Sequence, residues 1–220
     1  MVARGRVCCL SLSTALALLS CALLLVSLLS ASFRYFDESG ARRSYGLIRF
    51  CYSPPSNERA VEDDSNSKIC HLRTYINSAY CVSDISSSHK STRNCFGEFE
   101  LATIILMSAS MACCLLAFFF SICTIFTSFG ALAHSVILIA ATICSVSGFF
   151  AYTFFYELKE NQYETIKGYQ FQLHYGWAYY IFGFAGFLQF VAVGCSLFGS
   201  AMVLVHKNKK RQSKVQSTSL

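Results

Sequence analysis

The stretch LATIILMSASMACCLLAFFFSICTIFTSFGALAHSVILIAATICSVSGFFAYTFFY, residues 101 to 156, contains no Asp, Glu, Lys or Arg. A hydrocarbon core is crossed by about 20 apolar residues of helix, so this run is long enough for two crossings of about 25 residues each, joined by a short turn. Two further runs lack those four residue types: Val7 to Phe33, and Gly168 to His206. Each exceeds one crossing. With 54% apolar content in 220 residues, the chain is too hydrophobic for an ordinary soluble domain and fits a multi-pass membrane protein. Four spans follow, at residues 8–32, 101–126, 132–156 and 176–205, with a short turn at 127–131. The expected fold class is all-α membrane: a four-helix transmembrane bundle carrying a small disulfide-bonded extracellular antiparallel sheet.

Orientation is read from the cations at the span ends. Arg4 and Arg6 precede the first span, and Lys207, Lys209, Lys210, Arg211 and Lys214 follow the fourth. Lys and Arg concentrate on the cytoplasmic side, so residues 1–7 and the basic tail at 206–220 are expected in the cytosol. The loops at 33–100 and 157–175 then lie outside. The first 32 residues also resemble a signal peptide, with Ser30-Ala31-Ser32 as its cleavage site. Their apolar run is too long for that: a signal peptide holds about 7 to 15 apolar residues, whereas this run exceeds 20.

The loop from Phe33 to Glu100 is the only sizeable stretch whose composition suits water. It carries nine basic and nine acidic residues, both prolines, and four cysteines at Cys51, Cys70, Cys81 and Cys95. Its balanced charge excludes a nucleic-acid surface. Four cysteines in a short polar loop on the oxidising side read as two disulfides, with three pairings open. Free thiols are the bland alternative. Zinc fits worse, because the loop has no Cys-x-x-Cys pair and its spacings are wide and uneven. Within the loop, Ser44 to Tyr52 is rich in aromatic and branched residues and ends before Pro54-Pro55, so it reads as one strand.

The spans have their own signals. Cys8 and Cys9 sit just past Arg6, a juxtamembrane position suited to reversible acylation; cysteine used as small apolar packing is the alternative. No span carries Asp, Glu, Lys or Arg in its interior, which argues against transport through the bundle. Gly183 and Gly186 are three apart and lie near one helix face, where small residues allow close packing. Trp177 and its neighbouring tyrosines suit the headgroup level and anchor the start of the fourth span. His134 and His174 fall near opposite membrane faces, so interfacial packing is the expectation for each.

In this setting Gly46-Leu47-Ile48-Arg49-Phe50-Cys51 resembles the first-loop Gly-Leu-Trp and cysteine signature of the claudin superfamily, with Ile48 in place of its tryptophan. Tyr175-Gly176-Trp177-Ala178-Tyr179-Tyr180 is similar to the fourth-span motif of the calcium-channel gamma subunits in that superfamily. Tyr45-Gly46-Leu47 with Arg49 and Cys51 resembles the first-loop signature of the clarins. The resemblance implies a left-handed bundle capped by a sheet drawn from both outer loops. It also implies a Cys51 to Cys70 bond, leaving Cys81 with Cys95.

No Gly-rich phosphate loop, metal-ligand spacing or nucleophile motif is present, so the expectation is a protein that is not an enzyme and needs no cofactor or metal. The function expected is that of a plasma-membrane accessory protein, an auxiliary subunit binding an ion channel or receptor laterally. Claudin-like adhesion or a junction barrier is the alternative, and a clarin-like membrane organiser a third. Expected partners are membrane lipid and a membrane protein, either a channel or receptor subunit or a second copy across a cell contact. The tail Gln216-Ser217-Thr218-Ser219-Leu220 adds a PDZ scaffold, whose sheet edge would accept it as a strand, bind the Thr218 hydroxyl and bury Leu220. The Lys207 to Lys214 cluster is expected near anionic lipid.

Overall fold

The computed structural model describes residues 2–38, 41–53, 69–75, 95–96, 98–123, 128–166 and 169–218. The long helices are α1 (Val2–Leu29), α2 (Glu98–Cys123), α3 (Ser128–Tyr156) and α5 (Trp177–Thr218), with a single turn α4 (Lys159–Gln162) between α3 and α5. In each of the four long helices, one stretch is long and apolar enough to cross a membrane: Cys8–Leu29, Glu98–Cys123, Gly130–Tyr156 and Trp177–Met202. α2 starts on Glu98 and Glu100, whose negative charge favours a helix N-terminus. α3 begins at Ser128, so residues 128–131, expected in the turn, are helical.

The strands are β1 (Arg34–Glu38), β2 (Ala41–Tyr45), β3 (Arg49–Ser53), β4 (Ile69–Leu72), β5 (Thr74–Tyr75), β6 (Cys95–Phe96), β7 (Tyr163–Ile166), β8 (Tyr169–Gln172) and β9 (His174–Tyr175). Five of them form an antiparallel sheet in the order β4-β3-β2-β1-β9, which takes four strands from the first loop and one from the second. β7 and β8 make a separate hairpin, and β5 pairs with β6 in parallel. Ser44 to Tyr52 is not one strand. It is the end of β2, a tight turn and most of β3, because Gly46 N–H donates to Arg49 O at 2.7 Å and closes the chain on itself. The Cys81 to Cys95 pairing lies outside the described residues.

The chain divides into two compact units, one of Met1–Ala22, Ala109–Ser145 and Ala185–Leu220, the other of Leu23–Ser108 and Val146–Phe184. In the first, Ala17, Ala117, Leu138 and Ala192, one residue from each long helix, form a buried apolar cluster. Three alanines out of four let the helix backbones approach closely, as small residues do in membrane helix pairs. In the second unit the core is aromatic: Phe33, Phe36, Tyr45, Tyr152 and Phe182 are all buried. Phe33 meets Tyr152 edge-on with ring centroids 5.1 Å apart, and Phe36 stacks between Tyr45 and Phe171. Strand alternation explains the split in β1, where Arg34 and Phe36 are buried while Asp37 is exposed.

Candidate functional site

In the unit that holds the sheet, the most concentrated chemistry is a buried carboxylate held by two guanidinium groups. Glu100 sits in the first turn of α2, Arg34 opens β1, and Arg73 follows β4. All three are buried. Arg34 Nη2 donates to Glu100 Oε1, while Arg73 donates from Nη2 to Oε2 at 2.7 Å and from Nη1 to Oε1 at 3.2 Å. Arg73 Nη1 also donates to the Gly46 carbonyl at 2.6 Å. The Arg34 guanidinium lies within 6 Å of the ring centroids of Phe99, Tyr152 and Tyr156, so it also gains from their π faces. The cluster thus ties β1, the Gly46 turn and the segment after β4 to the head of α2.

The two motif glycines stand where the chain passes over the exit of α1. A Cβ on Gly46 would overlap the Ser30 carbonyl, and one on Gly176 would overlap the Ser32 carbonyl. Gly176 N–H donates to Phe33 O at 2.7 Å, and Ala178 N–H to Ser32 O at 3.2 Å. Only a residue without a side chain fits either place. Of the other motif residues, Leu47 is fully buried, Arg49 is exposed in β3, and Trp177 is half exposed at the first position of α5. Tyr175 stacks on Tyr179 and lies against Tyr156, and it donates to Glu157 Oε1 at 2.7 Å. Burial first, and then that bond to a carboxylate, push the Tyr175 phenol above the usual tyrosine range.

Cys51 and Cys70 are directly opposite each other on β3 and β4 and form a disulfide. Cys95 is in β6, while Cys81 lies outside the described residues. At the start of α1 the Cys8 thiol is exposed, and Cys9 is half-buried beside Gly199. Thr218 is the last helical residue of α5, and Leu220 lies outside the described residues.

The other unit holds polar groups that sequence reasoning missed. His134, expected at an interface, is instead fully buried. Its Nδ1 is 2.8 Å from Ala117 O, and its Nε2 is 3.4 Å from Ser13 Oγ. The Ser13 hydroxyl donates to Ala192 O at 2.8 Å, so one imidazole links all four long helices. One residue along α3, Ser135 is bonded to Ser196 at 2.7 Å and Ser200 at 2.9 Å. Gln189 donates to Ser110 at 3.0 Å and to Cys114 Sγ at 3.2 Å. Lone polar groups in an apolar run give no periodic signal, so only their pairing across helices reveals them. The Arg34–Glu100 pair did leave a trace: Arg34 immediately follows the first uncharged run and Glu100 immediately precedes the second.

No protein-family model matches this chain, and no curated protein matches it. Among the described residues, no group of three or more His, Cys, Asp or Glu side chains is arranged to hold a metal ion.

Proposed function

We propose that this chain is a four-pass plasma-membrane accessory protein of the claudin-superfamily type, which binds an ion channel or receptor laterally as an auxiliary subunit. The observation that carries this reading is the outward face of α5. There Trp177, Tyr180, Phe184, Phe187, Phe190 and Phe198 are all exposed, at spacings of three to eight residues along one helix. Large flat side chains on the outside of a membrane helix give a neighbouring helix an area to pack against. The apolar stretches also lack interior charge: Glu98 and Glu100, the only acidic residues in them, stand in the first turn of α2, and no Lys or Arg is present. That composition suits a protein that acts on another's pore rather than forming one.

The adhesion or junction-barrier reading has its own support in β4, the last strand of the sheet among the described residues, whose Ile69 and Leu72 are exposed. Apolar residues on a sheet edge suit contact with another protein. A clarin-like organiser would draw on the same face. Affinity purification of the tagged chain from native membranes in mild detergent separates the readings. Channel or receptor subunits recovered in fixed ratio are the expected result. Recovery of the chain alone, concentrated at cell contacts and cross-linked to copies on the opposite cell, would replace the lateral reading with adhesion.

A further inference from the structure

α5 does not stop where its apolar stretch does. That stretch ends at Met202, and the helix continues to Thr218. At about 1.5 Å per residue the extension is about 24 Å long. It contains Lys207, Lys209, Lys210, Arg211 and Lys214 and no acidic residue. A helix advances about 100° per residue, so Lys207, Lys210, Arg211 and Lys214, at i, i+3, i+4 and i+7, fall within an arc of about 100°, while Lys209 falls on the far side. Helical backbone therefore turns a basic tail into a row of four cations.

Such a row carries an energetic demand. Like charges three and four residues apart on a helix repel by a few tenths of a kcal/mol per pair, and no Asp or Glu in the extension offsets them. The row begins five residues past Met202, about 8 Å along the axis, which is roughly one Debye length from the end of the apolar stretch. The nearest dense source of negative charge is then the headgroup layer. Lys210, Arg211 and Lys214 stand further along the helix, and a headgroup with several phosphates offers more charge at that distance than one with a single charge.

We infer that the row Lys207, Lys210, Arg211 and Lys214 on the α5 extension is a binding site for anionic phospholipid headgroups that carry more than one phosphate. This rests on the reading of α5 as a membrane span and is independent of which protein the chain accompanies. The full chain, purified and reconstituted in lipid nanodiscs of phosphatidylcholine alone or with a few per cent of phosphatidylinositol bisphosphate, tests it by native mass spectrometry of the lipid retained. The decisive variant is K210Q/Q212K/K214Q/Q216K, which keeps the net charge and composition but moves two cations off the row. At about 1 kcal/mol per basic residue near the surface, it is expected to hold the bisphosphate lipid at least tenfold more weakly than the unaltered chain. Equal retention by both proteins overturns the proposal, since charge count alone would then explain binding. So does binding of soluble inositol trisphosphate as tightly as the lipid. If neither protein stays in the discs, the membrane reading itself fails and the proposal goes with it.

Discussion

Glu100 is where a single atom type decides the most. Its carboxylate is buried and accepts from two arginines, and removing one partner of a buried ion pair typically costs about 3 to 5 kcal/mol because the remaining charge is left uncompensated. Glu100→Gln is therefore expected to lower stability by about that much, measured as the shift in thermal unfolding of the purified chain in detergent. Replacing Arg34, Arg73 and Glu100 together with apolar residues should recover a large part of the loss, whereas a further fall would mean that the charges do more than satisfy one another. Gly46→Ala and Gly176→Ala should each abolish folded yield, read as the monodisperse fraction on size exclusion, since backbone carbonyls occupy the space a methyl group needs. The glycines were legible as a motif but their reason was not, because it lies in the return of the chain over Ser30 and Ser32. Arg34 and Arg73 were legible only as charges in a loop, since sequence says nothing about which carboxylate meets which guanidinium.

Among the elements, the helices were the most legible, because exclusion of charge over 20 or more residues is a signal no strand or loop produces. The strands were less so. β1 reads Arg-Tyr-Phe-Asp-Glu, which is polar enough to pass for loop, and its alternation has meaning only once Phe36 has Tyr45 and Phe171 to stack on. The disulfide between β3 and β4 closes a separation of 19 residues, and losing such a link costs about 3 kcal/mol. Cys51→Ser and Cys70→Ser should each reduce delivery to the cell surface, and the double variant should be no worse than either alone; additive losses, scored by surface biotinylation, would show that the two act separately. At the second loop, Tyr175 gives a pH dependence. Its phenol has a raised pKa in the folded state, so the folded form disfavours tyrosinate, and its contribution to stability is complete below the ordinary tyrosine pKa of 10.0 and declines as pH rises beyond it. Tyr175→Phe should flatten that alkaline decline in a series of unfolding curves from pH 8 to 11, and an unchanged slope would remove Tyr175 as its source.

For the whole molecule, the topology makes the plainest claim. The cationic flanks of the first and fourth apolar stretches predict that both ends lie on the cytosolic side, so tags at either end should be inaccessible on intact cells while one inserted at Ser65 to Ser67 is labelled. External labelling of the N-terminus with the C-terminus still inaccessible would require an odd number of crossings, and external labelling of both ends would reverse the orientation. The polar links inside the helices were the least legible part at this scale. Ser13 and Ser135 are ordinary residues for a long apolar helix, and what they and His134 do depends on which helices are neighbours, which no single span encodes.

The sheet order also sets a schedule. β1 is paired on one side by β2, a few residues away, but on the other by β9, where Tyr35 meets His174. At synthesis rates of about 5 to 20 residues per second, the partner of that edge emerges about 7 to 28 s after the edge itself. During that interval β1 presents open backbone groups to any strand nearby, including β9 of another nascent copy. Chains stalled short of His174 should therefore keep β1 open to protease, and release of the stall should close it. Biogenesis of this protein would then be most vulnerable while its first loop waits for its second.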